Sequence, residues 1–167
     1  HLYNHFAKMV KDAGGNLITV ELAFGNRPWV VTSSDNENHV QLRSSHELWH
    51  KENMLNVGIQ RLPQDWEYVA WVDADVHFAR PDWIVETLNQ LQHHKVVQMF
   101  ATAQDLGPYY EPLGQHYGFA YSYLNNLKGN KDYSNWHPGF AWAARREAID
   151  AVGGLIDHAI LGAGDRH

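Results

Sequence analysis

The sequence predicts one α/β domain in which helices flank a mostly parallel sheet. Two observations support this fold class. Helical patterns alternate with short β-branched or apolar runs along the 167 residues, and such alternation is typical of α/β sandwiches. The run EYVAWVDADV at residues 67–76 is almost continuously apolar, as expected for a strand that is buried on both faces. Because no boundary interrupts the pattern, residues 1–167 are expected to belong to a single domain.

The individual elements are predicted from residue spacing and from turn residues. Apolar residues recur at helical spacing over residues 2–13, just before two glycines, and predict a first helix. The β-branched segment LITVEL predicts a strand over residues 17–22. Further helices are expected over 46–57, 81–93 and 145–153, and further strands over 67–76, 96–100, 118–124 and 137–143. The remaining segments are expected to be loops, chiefly 25–40, with a short strand at 29–32, and 104–118.

Composition and charge exclude several classes of partner. The formal net charge is -6 and no run of Lys or Arg occurs, so we expect no nucleic-acid partner. Cysteine is absent, which removes disulfides and thiolate metal sites. No apolar run reaches the length of a membrane span, so we expect no transmembrane segment and a cytoplasmic location. The chain starts without Met and stops after a Gly-rich turn, so we expect a partial domain truncated at both ends.

The segment HELWH at residues 46–50 matches the H-E-x-x-H pattern of zinc peptidases. On a helix, this pattern places His46 and His50 on one face, beside Glu47 as the general base. The version with a third histidine requires Gly and His where this chain has Asn53 and Asn56. Since the chain contains 12 histidines, a chance match is easy, and we interpret HELWH as a coincidence.

Two carboxylates follow the most apolar predicted strand. Asp73 and Asp75 stand at its carboxyl end, which is where open α/β sheets bind ligands. Neighbouring carboxylates repel each other unless a cation or a proton lies between them. A hard divalent ion with oxygen ligands meets that need and can also bridge to substrate phosphates. The sequence therefore predicts a divalent metal site at this strand end.

Two longer segments carry a family resemblance. They are WHKENMLNVGIQRLPQDWEYVAWVDADV at 49–76 and HPGFAWAARREAIDAVGGLIDHAILGAGD at 137–165. The first resembles the helix and the aspartate-x-aspartate strand of glycosyltransferases with the GT-A fold, of the β-1,4-galactosyltransferase type. The second is similar to that family's sugar loop, the helix after it and a Gly-rich acidic motif. The resemblance covers residues 46–167 and implies a GT-A-like fold.

The resemblance also implies a donor site. Asp73 would contact the ribose or the metal, and Asp75 would ligate Mn²⁺ or Mg²⁺, which holds the diphosphate of a nucleotide sugar, expected to be a UDP-sugar. Lys51 and Asn56 match the helix positions that face the nucleotide. The family's later metal-binding histidine has no exact match before the end of the chain, and His167 is the candidate that could replace it as a ligand.

For the reaction itself, the resemblance implies an inverting transfer of a hexose to an acceptor hydroxyl, and galactose is the hexose that this family type suggests. Gly139 and Phe140 match the sugar loop, where a glycine lets the donor approach the backbone. Asp165 matches the general base that acts on the acceptor. The family has an acidic residue just before this base, whereas this chain has Gly164, so the acceptor, a glycan or another hydroxyl compound, stays open.

Three functions remain as alternatives at this point. The first is a metal-dependent glycosyltransferase, and the second is a zinc metallopeptidase acting through His46, Glu47 and His50. The third is a non-catalytic carbohydrate-binding remnant. Aromatic side chains near the predicted sugar loop, such as Trp136, could stack on a sugar ring in the first or the third case, or they could pack in the core.

Overall fold

Five helices and eight strands make up the structure, a computed structural model that describes residues 2–127 and 136–162. The helices are α1 (Leu2–Asp12), α2 (Lys51–Ile59), α3 (Trp83–Leu91), α4 (Phe119–Leu124) and α5 (Arg146–Val152). The strands are β1 (Thr19–Phe24), β2 (His39–Ser44), β3 (Tyr68–Val72), β4 (Val96–Gln98), β5 (Thr102–Leu106), β6 (Pro112–Gly118), β7 (Trp136–His137) and β8 (Ala141–Arg145). The predicted α/β class is confirmed.

The strands form three small sheets rather than one mostly parallel sheet. β1 and β2 pair in parallel, β8 lies between β3 and β4 and is antiparallel to both, and β6 pairs with β5 antiparallel and with β7 in parallel. Within the described residues, three of these five pairings are antiparallel, so the expected parallel majority is not found. The reason is that the chain enters β8 at the end where β3 stops, and β8 must therefore run back along it.

The central strand of the sheet formed by β3, β8 and β4 is β8 and not β3. Ala141, Ala143 and Ala144 on β8 are at most 1% exposed. The side chains of β3 are only half-buried, and Ala70 on that strand is exposed. The expectation that residues 67–76 are buried on both faces was therefore wrong. Small alanines occupy the central strand because neighbouring side chains cover both of its faces closely.

Residues 102–124 differ most from the sequence-based expectation. The predicted loop at 104–118 is a hairpin of β5 and β6, and the predicted strand at 118–124 is helix α4. Gly118 ends the ladder of β6, where a Cβ atom would lie 2.7 Å from the carbonyl oxygen of Phe100. The side-chain oxygen of Gln98 then accepts the N–H of Ala120 in the first turn of α4. Tertiary contacts thus override the strand preference of the aromatic residues in this segment.

The predicted helices at 2–13, 81–93 and 145–153 are confirmed as α1, α3 and α5, with ends that differ by a few residues. Phe6 and Val10 of α1 pack against Trp83 of α3 in a common core cluster. Phe78 stacks on Trp83 with ring centroids 4.4 Å apart. This cluster fixes α1 beside the segment that follows β3.

The carboxylate of Glu21, on β1, holds the loop that follows this strand. Its two oxygens accept hydrogen bonds of 2.7–3.2 Å from the backbone N–H groups of Val30, Val31 and Thr32 and from the Thr32 hydroxyl. Burial alone would raise the pKa of Glu21, but these hydrogen bonds to the charged form outweigh burial and lower it below the ordinary value of 4.5. Because these N–H groups bond to the Glu21 side chain, they are not available to a neighbouring strand. The short strand expected at 29–32 is therefore not formed, and the next strand is β2 at His39–Ser44.

Replacing Glu21 with Gln should lower the free energy of unfolding by about 1–2 kcal/mol at neutral pH, since hydrogen bonds to a charged group are the stronger ones. The folded pKa is lowered, so the carboxylate's contribution is fully present above the ordinary value of 4.5 and is lost as the pH falls through the folded pKa. Urea unfolding of both proteins across this pH range should show their stabilities converging at the acidic end.

The matched control for this substitution is Glu37→Gln, which changes an exposed carboxylate in the neighbouring loop. We expect this control to alter the free energy of unfolding by less than about 0.5 kcal/mol at every pH. A difference between wild type and Glu21→Gln that stays constant with pH would contradict the charged hydrogen-bond explanation.

Candidate functional site

A cleft of about 460 Å³ lies at the carboxyl end of β3. Its lining side chains come from three regions of the chain, namely Leu2, Tyr3, Lys51, Asp73, Ala74 and Asp75. Three of these residues, Lys51, Asp73 and Asp75, are predicted site residues. The structure therefore brings the lysine at the start of α2 and both carboxylates of the strand end together at one cleft.

Asp73 is held in place by the end of the central sheet. Its backbone N–H donates a 2.8 Å hydrogen bond to the carbonyl oxygen of Phe140, which continues the pairing of Val72 with Ala141. The carbonyl oxygen of Asp73 then accepts the N–H of Val76 at 3.1 Å and closes a turn. This turn leaves the Asp75 side chain exposed to solvent. Sheet geometry thus fixes the first carboxylate, whereas the second projects from a turn.

Lys51 and Asp73 form an ion pair inside the cleft. The Nζ atom of Lys51 lies 2.5 Å from Oδ1 of Asp73, and both side chains are about two-thirds buried, with relative exposures of 34% and 29%. One lysine and two carboxylates leave the charged lining of the cleft with one net negative charge. A diphosphate would be repelled by this lining unless a cation accompanied it.

The predicted sugar loop at residues 137–140 borders Asp73 through its backbone. The ring of His137 stacks on Phe140 with centroids 3.7 Å apart, and its Nδ1 accepts the N–H of Gly139 at 3.0 Å. Phe140 has a φ of +71°, which is rare for a residue with a side chain and indicates strain maintained by its surroundings. Gly139 and Phe140 are adjacent to the cleft, but in the described part of the chain they are not among its lining residues.

Gln98 organises this loop, although sequence reasoning missed it. Its side-chain N–H donates to the carbonyl oxygen of His137 at 2.9 Å, while its oxygen accepts the N–H of Ala120 at 3.0 Å. One amide therefore connects β4, the loop before β8 and helix α4. The signal in the sequence is a single polar residue in the apolar run VVQMF.

Asn56 is placed away from the cleft lining and binds backbone instead. Its side-chain N–H donates to the carbonyl oxygen of Leu155 at 2.9 Å, and its oxygen accepts the N–H of the same residue at 2.8 Å. Gly154, with a φ of +106°, permits this contact, because a Cβ atom there would lie 2.9 Å from Oδ1 of Asn56. Asn56 thus clamps α2 to the segment after α5, and its nucleotide-facing role stays a prediction.

The predicted base Asp165 and the predicted ligand His167 lie outside the described residues. Within residues 2–127 and 136–162, no group of three or more His, Asp or Glu side chains is arranged to hold a metal ion. Of the ligands that the sequence predicts for a metal ion, the described residues bring Asp73 and Asp75 to the cleft. A magnesium-type ion is often held by one or two carboxylates together with water and substrate phosphates, so this donor set fits such an ion.

The HELWH segment is not helical. Helix α2 begins at Lys51 rather than at 46, so the expectation that the helix spans 46–57 was wrong. Glu47 forms a 2.8 Å ion pair with Arg27, and Nε2 of His50 lies 3.2 Å from the carbonyl oxygen of His46. The structure therefore lacks the one-face arrangement of two imidazoles on which the zinc-peptidase interpretation depends.

Leu2 and Tyr3 were not predicted to belong to the site. They reach the cleft because α1 packs on α3 and because the Tyr3 hydroxyl is hydrogen-bonded to Thr19 at 3.1 Å and to His39 at 3.0 Å. Both bonds join residues that are far apart in sequence, so no local pattern could reveal them.

Comparisons with protein-family models, with curated proteins and with solved structures found no match to this chain. Among the helices that the structure describes, none combines the length and the apolar character needed to cross a bilayer.

Replacing Asn56 with Ala should lower the free energy of unfolding by about 1–3 kcal/mol, because the N–H and carbonyl groups of Leu155 lose their partner. Urea unfolding measures this change. Asn53→Ala is the matched control, since Asn53 is an exposed residue on the same helix with a 3.4 Å contact to Asp157, and we expect its effect to be below about 0.5 kcal/mol. Unchanged stability of Asn56→Ala combined with weaker nucleotide binding would instead support the nucleotide-facing role.

Proposed function

We propose that this protein is a metal-dependent glycosyltransferase with a GT-A-like arrangement, which moves a sugar from a nucleotide-diphosphate donor to an acceptor hydroxyl. The observation that carries the proposal is the cleft lined by Lys51, Asp73 and Asp75. The lysine and the carboxylates come from the two ends of the segment that carries the family resemblance. They converge at a strand end, which is where α/β proteins bind ligands.

In this proposal, Asp73 and Asp75 hold Mn²⁺ or Mg²⁺. Such an ion, once bound, offsets the negative charge that develops on the departing nucleoside diphosphate. Lys51 lies in the same cleft and forms an ion pair with Asp73. Its ammonium group can leave Asp73 and bind a phosphate oxygen, since a lysine side chain carries three hydrogen-bond donors on a flexible stem.

The loop at 137–140 would position the donor sugar beside the carboxylates. The hydrogen bond from Asp73 to the carbonyl oxygen of Phe140 fixes the distance between this loop and the strand end. The stacked His137 ring and the Gln98 amide hold the loop in one conformation, so little entropy would be lost when a donor binds. Asp165 is proposed as the base that accepts the proton of the acceptor hydroxyl, while the acceptor oxygen attacks the anomeric carbon and the diphosphate leaves from the opposite side.

A non-catalytic carbohydrate-binding function is the second candidate, because aromatic side chains are exposed on β6, α4 and the hairpin turn. Tyr109, Tyr110 and Tyr123 are 74–89% exposed, and Tyr117 stacks on Tyr121 with centroids 5.8 Å apart. Exposed aromatic rings can bind the apolar face of a sugar. No comparable observation favours a zinc metallopeptidase, given the irregular conformation of HELWH.

A thermal melt of the chain with UDP and with other nucleoside diphosphates, each with and without Mn²⁺, tests the proposal. A ligand at about one hundred times its dissociation constant stabilises the folded state by about 2.7 kcal/mol, which corresponds to several degrees for a domain of this size. We expect a shift that needs nucleotide and Mn²⁺ together. Asp75→Asn should abolish the shift, because it removes a carboxylate from the cleft.

Asp65→Asn is the matched control, since Asp65 is an exposed carboxylate in the turn before β3, and it should retain the full shift. Saccharides that stabilise the protein without nucleotide or metal, with an effect lost in Tyr123→Ala, would favour the carbohydrate-binding function. No response of the wild type to any nucleoside diphosphate with Mn²⁺ would overturn the transferase proposal.

A further inference from the structure

Two exposed histidines from distant parts of the chain face each other beside the cleft. His5 lies on α1, and His77 lies in the segment after β3, two residues beyond Asp75. Nε2 of His5 is 3.0 Å from Nδ1 of His77, and the ring centroids are 5.0 Å apart with an interplanar angle of 33°. The packing of Phe6 and Val10 against Trp83 sets the position of α1, so the core brings the backbone segments that carry the two rings close together.

The separation of these nitrogens suits two ligands of one metal ion. Metal–imidazole bonds are about 2.0–2.1 Å long, so two neighbouring nitrogens on an octahedral or tetrahedral ion lie about 2.9–3.4 Å apart. The observed 3.0 Å falls in this range, and because both rings are exposed, rotation of the two side chains can direct both lone pairs at one ion. Both rings are exposed, so water can fill the remaining coordination positions.

Replacing the hydrogen bond between the two rings with two metal–nitrogen bonds changes where one proton lies but not how many protons are bound. In the hydrogen-bonded pair of neutral rings, one of the two facing nitrogens carries a proton and the other accepts it. A metal ion needs lone pairs on both facing nitrogens, so the proton of the donor ring moves to the far nitrogen of the same ring. No net proton is released, and no further reactant is needed.

We propose that Nε2 of His5 and Nδ1 of His77 form a chelating site for a transition-metal ion of the zinc and copper class. Imidazole nitrogens favour these ions, whereas the carboxylates of Asp73 and Asp75 favour harder ions such as Mg²⁺ and Mn²⁺. Two metal sites of different selectivity would thus lie side by side. The inference does not depend on the proposed transferase function.

An ion at this site would join α1 to the segment after Asp75. Leu2 and Tyr3 of α1 line the cleft, and Asp75 lines it from the other side. An ion bound to both His5 and His77 would therefore fix the wall of the cleft formed by α1 relative to the carboxylates. Zinc-class ions would then stabilise the fold through a contact between two segments that are distant in sequence.

Isothermal titration of the chain with zinc chloride, in excess Mg²⁺ to occupy the carboxylates, tests this site. We expect one equivalent of zinc to bind to the wild type. The dissociation constant should rise at least tenfold in His5→Ala and likewise in His77→Ala, because one remaining imidazole cannot chelate. His93→Ala, which changes an exposed histidine beyond the end of α3, should bind zinc like the wild type.

Thermal melts without metal should show that His5→Ala and His77→Ala remain folded, since both side chains are exposed. Zinc binding that is unchanged in these two variants would overturn the proposal, as would no binding by the wild type. Binding that is lost in His46→Ala and His50→Ala but kept in His5→Ala would also overturn it and assign the zinc to HELWH. None of these results depends on nucleotide, so failure of this site is distinguishable from failure of the transferase proposal.

Discussion

The arrangement of the cleft depends on the antiparallel pairing of β3 with β8. This pairing sets Val72 opposite Ala141, and the next hydrogen bond along the ladder joins the N–H of Asp73 to the carbonyl oxygen of Phe140. β4 holds the other edge of β8, where the N–H of Met99 donates to the carbonyl oxygen of Ala141. A shift of one residue in this register would turn the β3 side chains to the opposite face and remove the Asp73 carboxylate from the cleft.

The second wall of the cleft is set by the packing of α1 and not by the sheet. Phe6 and Val10 bury this helix against Trp83, and the Tyr3 hydroxyl bonds to both Thr19 and His39. The same helix therefore contacts the core under α3 and the separate sheet of β1 and β2. Since α1 also carries His5, any ligand that bridges α1 to the segment after β3 acts on contacts that already determine the shape of the cleft.

The sequence reveals most where the deciding interactions are local. The α1 and α3 helices follow from apolar spacing, because Phe6, Val10, Trp83 and Leu91 are buried at that spacing. The direction of a strand cannot be predicted in this way, because it depends on where the connecting segment re-enters the sheet. An apolar run predicts a buried strand equally well whether the strand is parallel or antiparallel to its neighbour. Helix α4 was mistaken for a strand because its start is fixed by Gln98, a residue on another element.

The site residues also differ in whether local patterns or contacts between distant elements determine their positions. Asp73 and Asp75 could be predicted as site residues because they follow the end of one apolar run, which is a local pattern, whereas the cleft around them is completed by residues distant in sequence. Lys51 and Asn56 lie on one helix, but five residues at 100° each place them about 140° apart around its axis. One of them therefore faces the cleft while the other faces the segment after α5.

Charge in the cleft places a constraint on any phosphate-containing ligand. Lys51 already neutralises Asp73, so the remaining formal charge is that of Asp75. A divalent cation bound to both carboxylates would displace the lysine and change the net charge of the lining from negative to positive. The cation and a diphosphate would then each strengthen the binding of the other, since coupling between two ligands is reciprocal. In the proposed donor site, Lys51 would be central to that coupling, because the ammonium group that a cation would displace from Asp73 is the group that would become free to bind phosphate.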